Sequence, residues 1–194
     1  MAPPSFAQLV SLACHDLRTP LATASGFART LERLDSLEPP AGRYVEMIGA
    51  AADQLGSLLD LLAVAARIES DRFEPQLREA NARELADEAA ARLDGVARVE
   101  GEGDTVQADA TWGAVALSAL AEAARRHGGL EQITLTVDRT SVAIAPIRDD
   151  AGVIAVGEDL KDFAAAVGTR VLTATGVAVE PAGDRIHVRF PTTN

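Results

Sequence analysis

Along the first part of the chain, apolar or small side chains recur alternately three and four positions apart: Val10, Ala13, Leu17, Pro20, Ala24, Phe27, Leu31 and Leu34. A second segment repeats the rhythm through Tyr44, Ile48, Ala51, Leu55, Leu58, Leu62 and Ala65. A period of about 3.5 residues is that of long helices packed at shallow angles. Between them stands Ser36-Leu37-Glu38-Pro39-Pro40-Ala41-Gly42, whose two prolines cannot continue a helix. The pattern predicts a helical hairpin. Two helices alone cannot hide stripes this long from water, and Met47 and Leu59 widen the second one. A homodimer in which two hairpins form a four-helix bundle is the economical solution.

The rhythm changes at Phe73. Phe73-Glu74-Pro75-Gln76 reads as a short extended start, and residues 81–93 as a helix with Asn81 as N-cap. Residues 96–107, alternating and rich in glycine, read as strand and turn. Residues 110–127 read as a second helix closed by Gly128-Gly129. Strands follow over 133–137 and 142–147, joined by a tight turn, then a third helix over 158–174. Residues 177–180 and 185–190 look like a closing hairpin. These elements suggest one mixed sheet covered on one face by helices. The expected fold class is α+β, with the helical hairpin over residues 1–71 and a small α/β sandwich over 72–194.

Composition narrows the partners. The formal net charge is −11 and the pI near 4.7, a surface that repels nucleic-acid phosphates and anionic lipid. Neither nucleic acid nor membrane is an expected partner. Aromatic residues are only 4% of the chain, so the core must be mostly Ala, Leu and Val, which suits close-packed helices. Cys14 is the single cysteine, so an intrachain disulfide is impossible and a reducing compartment fits. The longest apolar run, over 58–66, is interrupted by Asp60, short of the roughly 18 to 20 unbroken residues of a membrane span. The N-terminus lacks the basic start and apolar stretch of a signal peptide. The expected location is cytoplasmic, and the opening at Met1 speaks against a membrane region upstream.

Candidate chemistry centres on His15. With Val10 and Leu17 at a positions and Ala13 at d, His15 falls at f, furthest from the expected seam. Asp16 is beside it, Arg18 falls at b, and Thr19 lies one turn further on the same outer face. An exposed imidazole can act as a nucleophile. Attack on phosphorus asks that the other ring nitrogen be polarised, which an adjacent carboxylate can do. The Thr19 hydroxyl could orient a water for the reverse loss of phosphate. Surface histidines commonly need no role, but Pro20 argues for one here. A proline inside a helix costs about 3 kcal/mol, and it is tolerated where something local depends on it.

Cys14-His15-Asp16-Leu17-Arg18-Thr19-Pro20-Leu21-Ala22 resembles the phosphoacceptor box of HisKA-type sensor histidine kinases of two-component systems. That box is His, Asp or Glu, then Leu-Arg-Thr-Pro-Leu. The resemblance implies that His15 is phosphorylated. It implies that Asp16 is the acid–base residue, that Thr19 is the phosphatase hydroxyl, and that Arg18 and Pro20 shape the site. The remainder resembles the ATP-binding domain of those kinases in a worn form. The family's magnesium-holding Asn falls at Ala123, whose methyl cannot coordinate a hard cation. Of the family's Asp-x-Gly-x-Gly, Asp150-Ala151-Gly152-Val153-Ile154 keeps only the first half. Four residues, 153–156, stand where the family has a long lid. Gly157-Glu158-Asp159-Leu160-Lys161 sets two carboxylates where glycines would cradle a triphosphate. Phosphoryl transfer from ATP depends on the metal and on positioning, so kinase chemistry is not expected.

The resemblance is therefore strongest to histidine phosphotransferases with a degenerate ATP-binding domain. In a phosphorelay, His15 would carry a phosphoryl group between response-regulator receiver domains. No cofactor is expected on this chain, and magnesium would come from the partner receiver domain. The alternatives are an ATP-dependent sensor kinase with a divergent nucleotide site and a non-catalytic scaffold. His127, His187, Trp112 and Cys14 read as structural residues.

Overall fold

Two long helices, α1 (Phe6–Arg33) and α2 (Ala41–Glu69), form an antiparallel hairpin. The computed structural model describes residues 6–33, 41–148 and 150–192, and the chain divides into two units, Met1–Phe73 and Glu74–Asn194. Ala41 and Gly42, expected in the turn, belong to α2; the rest of that turn and Leu34 lie outside the described residues.

The helices meet through small side chains. Cys14 and Ala28 of α1 are buried, as are Val45, Gly49, Ala52, Leu61, Val64 and Ala66 of α2. A Cβ at Gly49 would stand 3.1 Å from a Glu32 carboxylate oxygen and 3.9 Å from the Ala28 methyl; at Gly56 it would meet Leu21 at 3.8 Å. The stripe read from the 3.5-residue period stays largely exposed on the single hairpin, with Phe27 67%, Tyr44 59%, Ile48 54%, Leu55 54% and Leu17 52% exposed. A period of about 3.5 residues serves either face of a helix, so spacing alone cannot say which stripe meets the neighbour. Small residues such as Ala28, Gly49 and Ala52 let the two backbones approach, beside buried Val45, Leu61 and Val64. By length and composition α2 is also apolar enough to cross a membrane, which the search for unbroken runs missed. Its two central carboxylates, Asp53 and Asp60, are both paired with arginines of α1.

The second unit runs β1 (Arg78–Asn81), α3 (Ala82–Ala91), β2 (Ala97–Gly103), β3 (Thr105–Ala108), α4 (Ala110–His127), β4 (Ile133–Arg139), β5 (Ser141–Ala145), α5 (Ala151–Ala155), α6 (Phe163–Ala174), β6 (Ala178–Ala182) and β7 (Arg185–Arg189). Five strands form a mixed sheet in the order β2-β4-β5-β7-β6, parallel only between β2 and β4. β1 and β3 pair separately as a two-stranded antiparallel ribbon. Ile133, Leu135 and Val137 of β4 alternate inward with Val142, Ile144, Ile186 and Val188 of β5 and β7, against Leu117 and Leu120 of α4. Thr134, Thr136, Ala143 and His187 lie half-buried on the opposite face.

Capping fixes the helix starts. Asn81 accepts from the amides of Arg83 at 2.8 Å and Glu84 at 3.4 Å, and Asp109 from that of Trp112 at 3.1 Å. Residues 73–76, read as a short extended start, lead without regular structure into the first strand at 78–81. One expectation is corrected here: the third helix does not begin at Glu158. A short helix, α5, precedes it, Gly157 turns the chain at φ +75°, and Asp162 caps α6 through the Ala165 amide at 3.1 Å.

Candidate functional site

His15 projects from α1 into solvent, its side chain 80% exposed, directly after the buried Cys14. Its Nδ1 lies 3.2 Å from Asp16 Oδ1, whose side chain is also mostly exposed. In the tautomer that donates from Nδ1 to this carboxylate, Nε2 carries the free lone pair and faces water. This is the arrangement a nitrogen nucleophile needs: one ring nitrogen held by an acceptor, the other open.

Pro20 lies within the unbroken helix α1. Lacking an N–H, it cannot donate to the carbonyl four residues earlier, that of Asp16, so the turn carrying His15 and Asp16 is short of one helix hydrogen bond. Thr19 is exposed in that turn, and its carbonyl accepts from the Thr23 hydroxyl at 3.0 Å. Arg18 has a partner that its position in the sequence did not suggest. Its Nη2 donates to Asp60 Oδ1 of α2 at 2.5 Å, tying the weakened turn to the other helix. Further along the hairpin Asp53 accepts from Arg29 at 2.9 Å and from Ser25 at 3.5 Å. Asp53 and Asp60 are seven residues apart, hence on one face of α2. A helix-period count could have placed these carboxylates together, but not opposite Arg18 across 42 positions.

In the second unit the positions that resemble a nucleotide site are closed or charged. Ala123 is fully buried in the core. α4 and α6 pack closely: a Cβ at Gly168 would stand 3.1 Å from Leu120 Cδ1 and 3.3 Å from Ala116 Cα. Ala151 and Gly152, at the worn Asp-x-Gly, are buried in α5, and Asp150 makes no side-chain capping bond there. A Cβ at Gly157 would fall 2.8 Å from Ala166 Cα, so this glycine draws the α5–α6 connection tightly onto α6. Glu158 is exposed. Asp159 sits 2.7 Å from the Lys161 ammonium and, by hydrogen bond and charge, raises its pKa above the usual lysine value.

Asp162 is buried at the start of α6 and joins the end of α4, with Arg126 Nη2 at 2.5 Å and His127 Nε2 at 3.3 Å. His127 thus serves as a strut between helices. His187 lies half-buried in β7, and Trp112 is half-buried in the first turn of α4.

Residues 7–71 match the family model of the His Kinase A (phospho-acceptor) domain. Among solved structures, full-length ShkA in complex with AMPPNP is similar with a TM-score of 0.66 and 21% identity, over 97% of this chain. This chain spans about half of ShkA, 47% of its length. The histidine kinase AdeS of Acinetobacter baumannii is similar with a TM-score of 0.53 and 16% identity, over 93% of this chain and 98% of that one. At these identities the likeness establishes the fold: a helical hairpin followed by a sandwich like a histidine kinase catalytic domain. No match was found among curated proteins.

Proposed function

We propose, from the premise that residues 7–71 form a phosphoacceptor hairpin of the two-component histidine kinase type, that the chain is a histidine phosphotransferase. It takes a phosphoryl group from one response-regulator receiver domain on His15 and passes it to another, without ATP. The observation that carries this reading is the exposed His15–Asp16 pair in a chain whose metal position on α4 is a buried alanine. The acceptor is intact, and the residue that would hold a nucleotide's magnesium is a methyl group in the core.

In the proposed step, the His15 Nε2 lone pair forms a bond to phosphorus as the bond from phosphorus to the donor aspartate's oxygen breaks, and the donor carboxylate leaves. The imidazole gains positive character, which the Asp16 carboxylate at Nδ1 stabilises; that ring proton can move to it. The magnesium of this reaction belongs to the receiver domain. Thr19, one turn on, is placed for a slower role in orienting a hydrolytic water. The outward stripe of Leu17, Phe27, Tyr44, Ile48 and Leu55 supports a homodimer through a four-helix bundle. The buried, unpaired Cys14 suits the cytoplasm.

The test is to phosphorylate a receiver domain, mix it with the protein, and follow base-stable, acid-labile label. Wild type acquires the label and His15→Ala does not. Asp16→Asn acquires it about 10² to 10⁴ times more slowly. Equal labelling of wild type and His15→Ala would refute phosphotransfer at His15 and leave the scaffold alternative. Saturable micromolar binding of ATP would favour the kinase alternative.

A further inference from the structure

The Arg18–Asp60 pair joins the two helices one turn from His15, and both side chains are more than half exposed. An exposed pair of this kind contributes little to folding. Its place is more informative than its strength. Arg18 follows His15 by three positions, so the two share a helix face. Side chains on a helix lean towards its N-terminus, which carries the Arg18 guanidinium back over the His15 turn. A phosphoryl group on His15 Nε2 would bring close to two negative charges and three acceptor oxygens to that turn. Asp16 already occupies Nδ1 and is itself negative. Among the described residues, Arg18 is the basic side chain nearest His15 along α1.

We propose that Asp60 is a positioning residue for phosphotransfer, acting through Arg18. In the unphosphorylated protein it holds the guanidinium; on phosphorylation Arg18 exchanges Asp60 for the phosphoryl oxygens. Asp60 then sets the stability of phosphohistidine by competing for the same cation. A guanidinium suits this exchange because its planar fork binds carboxylate and phosphate alike. The pair is exposed and strained by no packing, so the exchange needs only side-chain rotation. This inference rests on His15 being the phosphoacceptor.

A purely structural strap would behave differently, and the hairpin supplies the control. Asp53 ties Arg29 and Ser25 in the same way, away from His15. The full-length protein is phosphorylated with phosphoramidate, which needs no receiver domain, and the decay of phosphohistidine is followed after subtracting the His15→Ala background. Asp60→Asn is expected to lengthen the lifetime about two- to fivefold, the factor that the loss of an exposed ion pair corresponds to. Arg18→Ala is expected to shorten it, the double variant to match Arg18→Ala, and Asp53→Asn to match wild type. Unfolding midpoints should stay together. Loss of lifetime in both Asp60→Asn and Arg18→Ala, an Asp60→Asn lifetime equal to wild type, or an equal effect of Asp53→Asn would overturn the exchange. If wild type takes no label above the His15→Ala background, His15 is not a phosphoacceptor and the proposal falls with it.

Discussion

In the hairpin, small side chains share the interior with Val45, Leu61 and Val64 while several larger apolar ones face water; in the sandwich, bulky side chains fill the interior and the sheet's other face is polar or small. Gly49, Ala52 and Ala28 let α1 and α2 touch, while Phe27, Ile48 and Leu55 stay exposed. Leu117, Leu120, Leu135 and Ile144 close the core of the sandwich, and Ala123 lies inside it. The hairpin is thus unfinished as a packing unit and open at its chemistry. The sandwich is finished, and its packing extends through Ala123, the position proposed to match the family's metal-holding residue. One unit leaves His15, Asp16 and a stripe of apolar side chains at the surface. The other holds Ala123 in its core.

The largest expected effect separates reactivity from packing. His15→Ala should remove phosphoryl acceptance entirely yet change stability by no more than about 0.5 kcal/mol, because the ring touches little but Asp16. Transfer assays beside chemical denaturation would show it. Next, Leu117→Ala should destabilise the sandwich by about 2 to 5 kcal/mol, since the side chain is fully buried. Denaturant unfolding followed by the near-ultraviolet signal of Trp112 reports on that unit, because Trp112 is the chain's single tryptophan.

A smaller effect is expected at the hairpin's outer stripe. Ile48→Asp with Leu55→Asp should turn dimers into monomers or aggregates, each buried side chain being worth about 1.5 to 3 kcal/mol. Light scattering would read it, and a monodisperse wild-type monomer would break the comparison. The smallest effect is at Ala123. Ala123→Asn puts an amide in the fully buried core, and should cost about 1 to 3 kcal/mol without conferring ATP binding by calorimetry.

Much of this was legible along the chain, for identifiable reasons. α4 was bounded correctly at 110–127 because its start has a capping aspartate and its end a glycine pair. His15, Asp16, Arg18, Thr19 and Pro20 form a short local motif, so one stretch of sequence displays them together. What stayed hidden depended on distance or on size. The partner of Arg18 is 42 residues away, and no local pattern joins them. The contact between α1 and α2 through Ala28, Gly49 and Ala52 stays hidden because hydrophobic spacing weighs Leu above Ala and Gly. The third helix is expected from Glu158 because residues 158–162 hold no glycine or proline to stop it, whereas the Asp162 cap sets its start at Phe163.

The central claim is that phosphate reaches His15 from a receiver domain and not from ATP. The most direct test incubates the full-length protein in parallel with magnesium and γ-labelled ATP, and with a phosphorylated receiver domain. It then measures acid-labile label on wild type and His15→Ala. The account predicts label from the receiver domain only, absent in His15→Ala. Label from ATP that disappears in His15→Ala would contradict it, and would make the sandwich a working nucleotide domain despite Ala123.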